Sequence, residues 1–499
     1  MRAWKGIKEK PADDPNSFFT IGGYHGEPFR GDGASDPNWW GGYCQHGTVL
    51  FPTWHRAYMM RLEDALRSVE GCETVTLPFW DETSGDSASR GVPPCLTDEF
   101  FELDGQRIPN PLRSFVLPKD VSDVTGETLY NKQAGYETVR YPLSGLVGTP
   151  AARQQSAAHN ARFPTAQMQN QLLNQNIVNW LTSQVVIDGA KWGLINARFV
   201  SCLQAPDYTR FSNTTSMRNW NNANPGNLVM ALESPHNYVH LAVGGFDVPG
   251  QGNISVIPGA NGDMGENNTA GLDPIFFFHH CFIDYVFWQW QLRHNATKSF
   301  TIDENDPGAK YDSSVNPPPA YADPDAPISM STPLKPFRDP NGADITSADC
   351  VDIEGQMGYT YGPGSLDAVD KQAKAAMALT EAQRGTPTAH VDGIDRSKAR
   401  GSMLIAFYGE QGGERRLIDV EPVLSRWDVE GCANCMTKLA ISADVAIPQG
   451  VEPGSVSVEL HTRDGLVGEG KSEKSAGVLM EGFQTEAADA MPAFNLEIR

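Results

Sequence analysis

Along residues 53–69, Trp54, Tyr58, Met59, Leu62, Ala65, Leu66 and Val69 recur at the three- and four-residue spacing of one helix face. Thr53 is placed to cap this helix, and Gly71 to stop it. A second helix is expected from Ser234-Pro235, with serine as the cap and proline in the first helical position, ending at Gly244-Gly245. A third opens at Asp273-Pro274 by the same logic. It runs through Ile275, Phe278, Phe282, Tyr285, Val286 and Trp288 to about Leu292. A further helix fits residues 165–185, through Met168, Leu172, Ile177 and Leu181.

Toward the C-terminus the period changes. Leu439, Ile441, Ala443, Val445 and Ile447 alternate with small or polar residues, as do Val456, Val458 and Leu460, and Phe494, Leu496 and Ile498. Period-two runs punctuated by Gly and Pro predict a small antiparallel β domain of sandwich type. Residues 303–345, rich in Pro and Asp, read as a long ordered loop. Residues 365–385 read as a polar helical connector. The expected division is a mainly α domain over 1–365, a connector over 366–395 and an all-β domain over 396–499. Trp39-Trp40 is read as core.

Composition narrows the field. The 499 residues are 40% hydrophobic, enough for a large core, and 39 basic against 61 acidic side chains give a net charge of −22. Such a chain repels nucleic acid and anionic membranes, and neither is expected as a partner. No run approaches the ~18 apolar residues of a membrane span. The first 19 residues, with no apolar stretch, give no secretory signal, so a cytoplasmic location is expected. A homo-oligomer is left open. Eight cysteines in so long a chain do not form a disulfide scaffold, and Cys432-Ala-Asn-Cys435 is the one close pair.

Histidine changes the picture most. There are 11, and most fall into two groups. His236 and His240, four apart on a helix, share a face. His279 and His280 are adjacent, so they point about 100° apart and one of them can face the same ion. His46 and His55 flank Pro52, which is expected to break any continuous helix between them, and His25 sits in a Gly-rich stretch read as a loop. His25, His46 and His55 make one trio; His236, His240 and His280 make another. Two sets of three imidazoles with no carboxylate pair fit copper better than hydrolytic zinc.

These residues stand in strings that resemble the copper signatures of the tyrosinase and catechol oxidase family. HGTVLFPTWHRAYMMRLEDAL (46–66) looks like the first signature and DPIFFFHHCFID (273–284) like the second, with LESPHNYVH (232–240) and IGGYHGEPF (21–29) completing the set. Tyr359-Thr-Tyr361 resembles the mark that closes the catalytic domain. The resemblance covers roughly residues 15–365. It implies a four-helix bundle holding two copper ions, with O2 as co-substrate and phenolic small molecules as substrates. It assigns His25, His46 and His55 to the first copper. To the second it assigns His236, His240 and His280, the last being four residues before Asp284. His279 is expected to pack beside the site, and Asp284, on the same helix face as His280, to hold a ligand or a neighboring Arg.

The resemblance also implies roles beyond the ligands. Glu233 and Asn237 are expected to hold a water that takes the phenol proton, against the plainer reading of a helix-start acid and a surface amide. Cys44 is expected to form a thioether with His46. Cys432 and Cys435 are read as a copper-handling pair, with a disulfide or two unrelated thiols as alternatives. The C-terminal domain is expected to cover the copper pocket, with Phe407, Tyr408 or Trp427 as candidates to fill it. The expected activity is hydroxylation of monophenols and oxidation of ortho-diphenols to ortho-quinones, whether for melanin formation or a narrower biosynthetic step. The alternatives are a catechol or ortho-aminophenol oxidase, a hemocyanin-type oxygen carrier, or purely structural histidine clusters.

Overall fold

The computed structural model describes residues 1–26, 41–125, 128–187, 190–249, 261–311, 326–367, 385–463, 465–471 and 494–499. The expected loop at 27–29, Trp39-Trp40, most of the polar helix at 365–385 and Pro317-Pro318-Pro319 lie outside these residues. The N-terminal part is mainly helical: α1 (Arg2–Glu9), α2 (Phe18–Gly26), α3 (Phe51–Arg67), α4 (Gly85–Arg90), α5 (Pro150–Asn160), α6 (Ala166–Thr182), α7 (Leu194–Cys202), α8 (Tyr208–Ser212), α9 (Thr214–Ala223), α10 (Glu233–Gly244) and α11 (Ile275–Arg293). Four two-stranded hairpins decorate it: β1 (Phe100–Leu103) with β2 (Gln106–Pro109), β3 (Val121–Thr125) with β4 (Thr128–Lys132), β5 (Gln184–Ile187) with β6 (Ala190–Gly193), and β7 (Pro333–Arg338) with β8 (Asp344–Thr346). The last pair lies almost wholly within 303–345, where the Pro and Asp content predicts little regular structure.

The center of this part is α11. Every residue from Ile275 to Gln291 is buried, which follows from a segment apolar on all sides. Aromatic rings close around it: Phe278 stacks on Trp4 at 5.5 Å and Phe277 meets Phe18 edge-on at 5.7 Å. Helix α3 packs on α11 through Arg56, whose Nε donates to Asp284 at 2.6 Å. Its start differs from expectation. Pro52 lies in the first turn, where no N–H is needed, so the helix opens at Phe51 rather than after Thr53, and, as expected, none runs on from His46 to His55. Thr53 Oγ1 donates to the Leu50 carbonyl instead of capping. Likewise α10 begins at Glu233, one residue before the expected serine cap, and ends at Gly245, whose φ of 128° suits glycine. Helix α6 braces α10 through Asn176, which donates to the carbonyls of Ala242 and Phe246 at 2.8 and 3.0 Å.

The C-terminal part is a β sandwich. One antiparallel sheet runs β11-β10-β13-β14 and the other β12-β9-β15, from β9 (Thr388–Asp395), β10 (Met403–Gln411), β11 (Glu414–Val423), β12 (Ala440–Ala446), β13 (Ser457–Thr462), β14 (Gly465–Lys471) and β15 (Asn495–Ile498). Ile405, Phe407, Val458 and Leu460 of one sheet share a core with Val391, Ala443, Val445 and Leu496 of the other. Strand β9 starts at Thr388, within the stretch read as connector, because its alternation is masked by His390 and Asp392.

The two parts are stitched together. Arg198 pairs with Asp419, Tyr238 donates to the Val420 carbonyl, Ser402 Oγ donates to the Gly265 carbonyl at 2.7 Å, and the Asn267 amide donates to the Ser425 carbonyl at 3.1 Å. Among the described residues, no helix is long and apolar enough to cross a membrane.

Candidate metal center

Four helices converge on one point. Helix α2 brings His25, α3 brings His55, α10 brings His236 and His240, and α11 brings His280, while His46 comes from the loop before α3. His25 is thus the last turn of a helix and fully buried, not a mobile loop ligand. The two glycines before it permit that helix to pack tightly: a Cβ on Gly22 would strike the Gly271 carbonyl at 2.5 Å.

The second trio is compact. His236 Nε2 and His240 Nε2 lie 3.3 and 3.4 Å from His280 Nε2. The first trio faces it, with the His55 ring stacked 4.4 Å from His280 and His46 5.3 Å from His236. Phe276 lies 4.7 Å from His25 and 4.0 Å from His280, and Phe51 lies 4.9 Å from His236, so apolar rings wall the cluster.

The remaining ring nitrogens set which atom each imidazole offers. His55 Nδ1 bonds the Phe51 carbonyl at 2.8 Å, His240 Nδ1 the Met264 carbonyl at 2.7 Å, and His236 Nδ1 the Asn237 Oδ1 at 2.9 Å. A carbonyl only accepts, so Nδ1 carries the proton and Nε2 keeps its lone pair. The Nε2 atoms of His46 and His55 are buried without a partner, and His25 makes no hydrogen bond of ordinary geometry, although it lies near the main chain of Asn267. Burial holds His55 down to about 3 and His240 to about 4, against the bonds to the Phe51 and Met264 carbonyls, which pull upward; burial and the neighboring imidazoles push the other four well below the usual histidine range. The rings are therefore neutral. Orphaned lone pairs on buried neutral imidazoles are costly unless a metal takes them. The groups able to hold an ion here contain His and Cys44 but no carboxylate. This donor set fits copper.

The other expected residues fall as follows. Asp284 does not touch a ligand: it accepts from Arg56 and from the hydroxyls of Tyr359 and Tyr361, at 2.5 and 2.6 Å. It thereby ties the Tyr-x-Tyr segment to α3 and α11. His279 packs against His236 at 5.2 Å and donates to or accepts from Glu82 at 2.6 Å, both side chains being buried. Glu233 Oε1 and Oε2 accept from the Gly47 amide at 3.0 and 3.1 Å, and Oε2 from the Thr214 amide and hydroxyl at 2.8 and 3.1 Å. Burial raises its carboxyl, and the Thr214 and Gly47 bonds and the Arg218 charge pull it back. Asn237 is buried beside His236, not a surface amide.

Cys44 is a buried thiol that accepts from Asn267 Nδ2 at 3.3 Å and lies in one donor group with His25 and His46. Cys432 and Cys435 are joined as a disulfide, a form that leaves no thiolate for Cu(I). They open α12 (Ala433–Met436), whose Asn434 donates to the carbonyls of Cys44 and His46 at 3.1 and 3.2 Å. None of the three residues expected to fill the pocket does so: Phe407 belongs to the sandwich core, Tyr408 packs under Arg415, and Trp427 packs against Tyr130 and under Arg463. His159, His294, His390 and His461 each have an ordinary oxygen partner. No motif or spacing pointed to Glu82, Met264, Asn267 or Asn434. Main-chain acceptors and partners hundreds of residues away leave no spacing to read.

Two facing trios of neutral imidazoles in a dry helical core define a dinuclear metal center. Residues 15–293 match the family model described as the common central domain of tyrosinase. A tyrosinase of Hahella sp. is 49% identical over 89% of this chain and 83% of its own length, and a tyrosinase of Aspergillus oryzae is 38% identical over 93% and 90%. A solved tyrosinase structure from Burkholderia thailandensis superposes with a TM-score of 0.80 at 46% identity, covering 93% of this chain and 91% of that one. The chain belongs to the tyrosinase family and is a type-3 copper oxidoreductase.

Proposed function

We propose that this enzyme hydroxylates monophenols and oxidizes ortho-diphenols to ortho-quinones with O2, holding one copper on His25, His46 and His55 and a second on His236, His240 and His280. The observation that carries this reading is the set of facing imidazoles whose Nε2 lone pairs lack protein partners. The copper pair, when bound, supplies two one-electron carriers and a place for O2. The relatives that cover most of the chain are tyrosinases, which weighs against the oxygen-carrier alternative.

The protein's own contribution is positional and electrostatic. The carbonyls of Phe51 and Met264 fix the rotation of His55 and His240, so Nε2 of each is presented without reorganization. Phe51 and Phe276 exclude water from the cluster. For hydroxylation a phenol must arrive as phenolate. Glu233, raised by burial and so a stronger base than a free carboxylate, has lone pairs left to polarize a water, and the Asn237 amide adjoining His236 can hold that water's other side. The balance is monophenol plus O2 giving ortho-quinone plus water.

One observation favors a second reading, a catechol oxidase. Glu233 is already bound by three donors and serves as a brace between the His46 loop and α9. Turnover of a monophenol with no diphenol primer separates the two. On the first reading it proceeds, and Glu233→Gln slows it about 10²-fold while sparing diphenol oxidation. Diphenol turnover alone leaves the catechol oxidase.

Cys44 lies beside His46, and a thioether between its Sγ and a His46 ring carbon, formed as the thiol and ring hydrogens pass with two electrons to O2 to give H2O2, would fix the one ligand that no helix carries. Intact mass after copper loading decides this: a drop of two hydrogens in the native chain, absent in Cys44→Ala, supports the bond, and an unchanged mass removes it.

A further inference from the structure

His240 takes its orientation from an acceptor outside its own helix. The carbonyl that turns His55 belongs to Phe51, four residues earlier in the same helix. The carbonyl that turns His240 belongs to Met264, 24 residues further on, in the short turn Asp263–Gly265 between α10 and α11. The ladder of a helix fixes its own carbonyls. A turn has no such ladder, so other groups must hold this one.

Asp263 and Glu266 bracket Met264, and both are buried. Lys132, from β4, reaches between them: its Nζ donates to Asp263 Oδ1 at 2.7 Å and lies 3.1 Å from Glu266 Oε2. Its third partner is Thr269 Oγ1 at 3.2 Å, which itself donates to Asp263 Oδ1 at 2.7 Å. Three acceptors use all the protons of an ammonium group. Tyr136 and the Val139 amide each donate to Asp263 Oδ2 at 2.7 Å, and Tyr130 donates to Glu266 Oε2 at 2.7 Å. The Asp263 amide donates in turn to the Val139 carbonyl at 2.9 Å. From the other side the turn is pressed against the end of α10, just past His240: a Cβ on Gly244 would meet the Gly265 nitrogen at 2.1 Å. Met264 is thereby held in register with the helix that carries His240.

The Lys132 side chain is 1% exposed. A charge so deep is a poor source of stability, because exchanging a buried ionic cluster for packed apolar side chains is often neutral or better. What a fully satisfied polar network provides is a single arrangement. That matters most behind a metal ligand, where the acceptor on the far ring nitrogen fixes the rotation and tautomer of the imidazole.

We propose that Lys132 is a positioning residue for the second copper: by tying Asp263 and Glu266 together across Met264, it aims the carbonyl that orients His240. This rests on the reading of His236, His240 and His280 as copper ligands, and is independent of which phenol the enzyme takes.

The test replaces Lys132 by Met in the full chain and reads two quantities. The first needs no copper: the imidazole nitrogen shifts of the metal-free protein by NMR. In Lys132→Met, His240 is expected to lose the pattern of a single Nδ1–H tautomer while His55 keeps it. The second is copper affinity against a competing chelator, taken in His46→Ala, where only the second trio is complete, and in His236→Ala, where only the first is. Adding Lys132→Met is expected to weaken the second copper about 10–100-fold and to leave the first unchanged. An unchanged His240 pattern, or an unchanged second-copper affinity, overturns the proposal and leaves the cluster a purely structural one. Equal weakening of both coppers overturns it as well, since that is general loosening. Should Lys132→Met fail to fold, Tyr136→Phe removes one donor to Asp263 without stranding a charge. A change confined to His240 and the second copper then supports the proposal, and no change, or one shared by both trios, sinks it. If the native chain takes up no second copper, the ligand assignment has failed separately, and the histidine shifts alone decide the role of Lys132.

Discussion

The two halves of the metal center are built differently. The second trio stands on two long buried helices, α10 and α11, and the Nε2 atoms of His236 and His240 already lie 3.3 and 3.4 Å from that of His280. The first trio draws on two helices and one loop, and that loop is held by groups far off in sequence: Glu233 on the Gly47 amide, and Asn434 on the carbonyls of Cys44 and His46. A half-site made from helix spacing is preformed. A half-site made from a loop is only as precise as its restraints, and here one restraint belongs to the β domain. Changes in the C-terminal part should therefore be felt at the first copper and not at the second.

The largest expected effect is His280→Ala, which removes a shared wall of both trios: activity falls to background and copper content, measured by atomic absorption, drops below two per chain. Next is Asp284→Asn. It leaves the buried Arg56 charge without its partner and two tyrosine hydroxyls short of an acceptor. The cost is about 3–5 kcal/mol in denaturant unfolding, with little effect on KM if the variant folds. Asn434→Ala should weaken the first copper about 10–100-fold in a competitive chelator titration while leaving the second alone. Equal weakening of both would mean that the two half-sites depend on the β domain alike.

The smallest effect is the pH response of the metal-free chain. His240 and His55 have native values of about 4 and about 3 against 6.5 unfolded. As pH falls below 6.5 the unfolded chain binds protons that the native one does not, so stability is constant above 6.5 and declines down to the native values. Copper, which needs the neutral rings, should steepen this loss. A metal-free midpoint of unfolding independent of pH between 4 and 6.5 would contradict the buried neutral state.

Much of this was legible in the sequence because helices write their faces into spacing. His236 and His240 at i and i+4, the capped start at Asp273-Pro274, and the alternation of Ile441, Ala443 and Val445 each report a local period. Pro52 correctly marked the break between His46 and His55, with His55 on the new helix, but Thr53 misled as a cap because the proline itself sits in the first turn and the helix opens at Phe51. His25 misled because glycines mark loops as often as tight helix contacts. Asn434 was invisible because its meaning lies across the interface between the helical part and the β domain.

If the six imidazoles hold a coupled pair of coppers, electron paramagnetic resonance on native protein carrying two Cu(II) per chain gives almost no signal, because two adjacent spins pair, and a single-copper spectrum appears in His280→Ala. A full two-spin signal from native protein loaded with two coppers would mean isolated ions, and would contradict the dinuclear center.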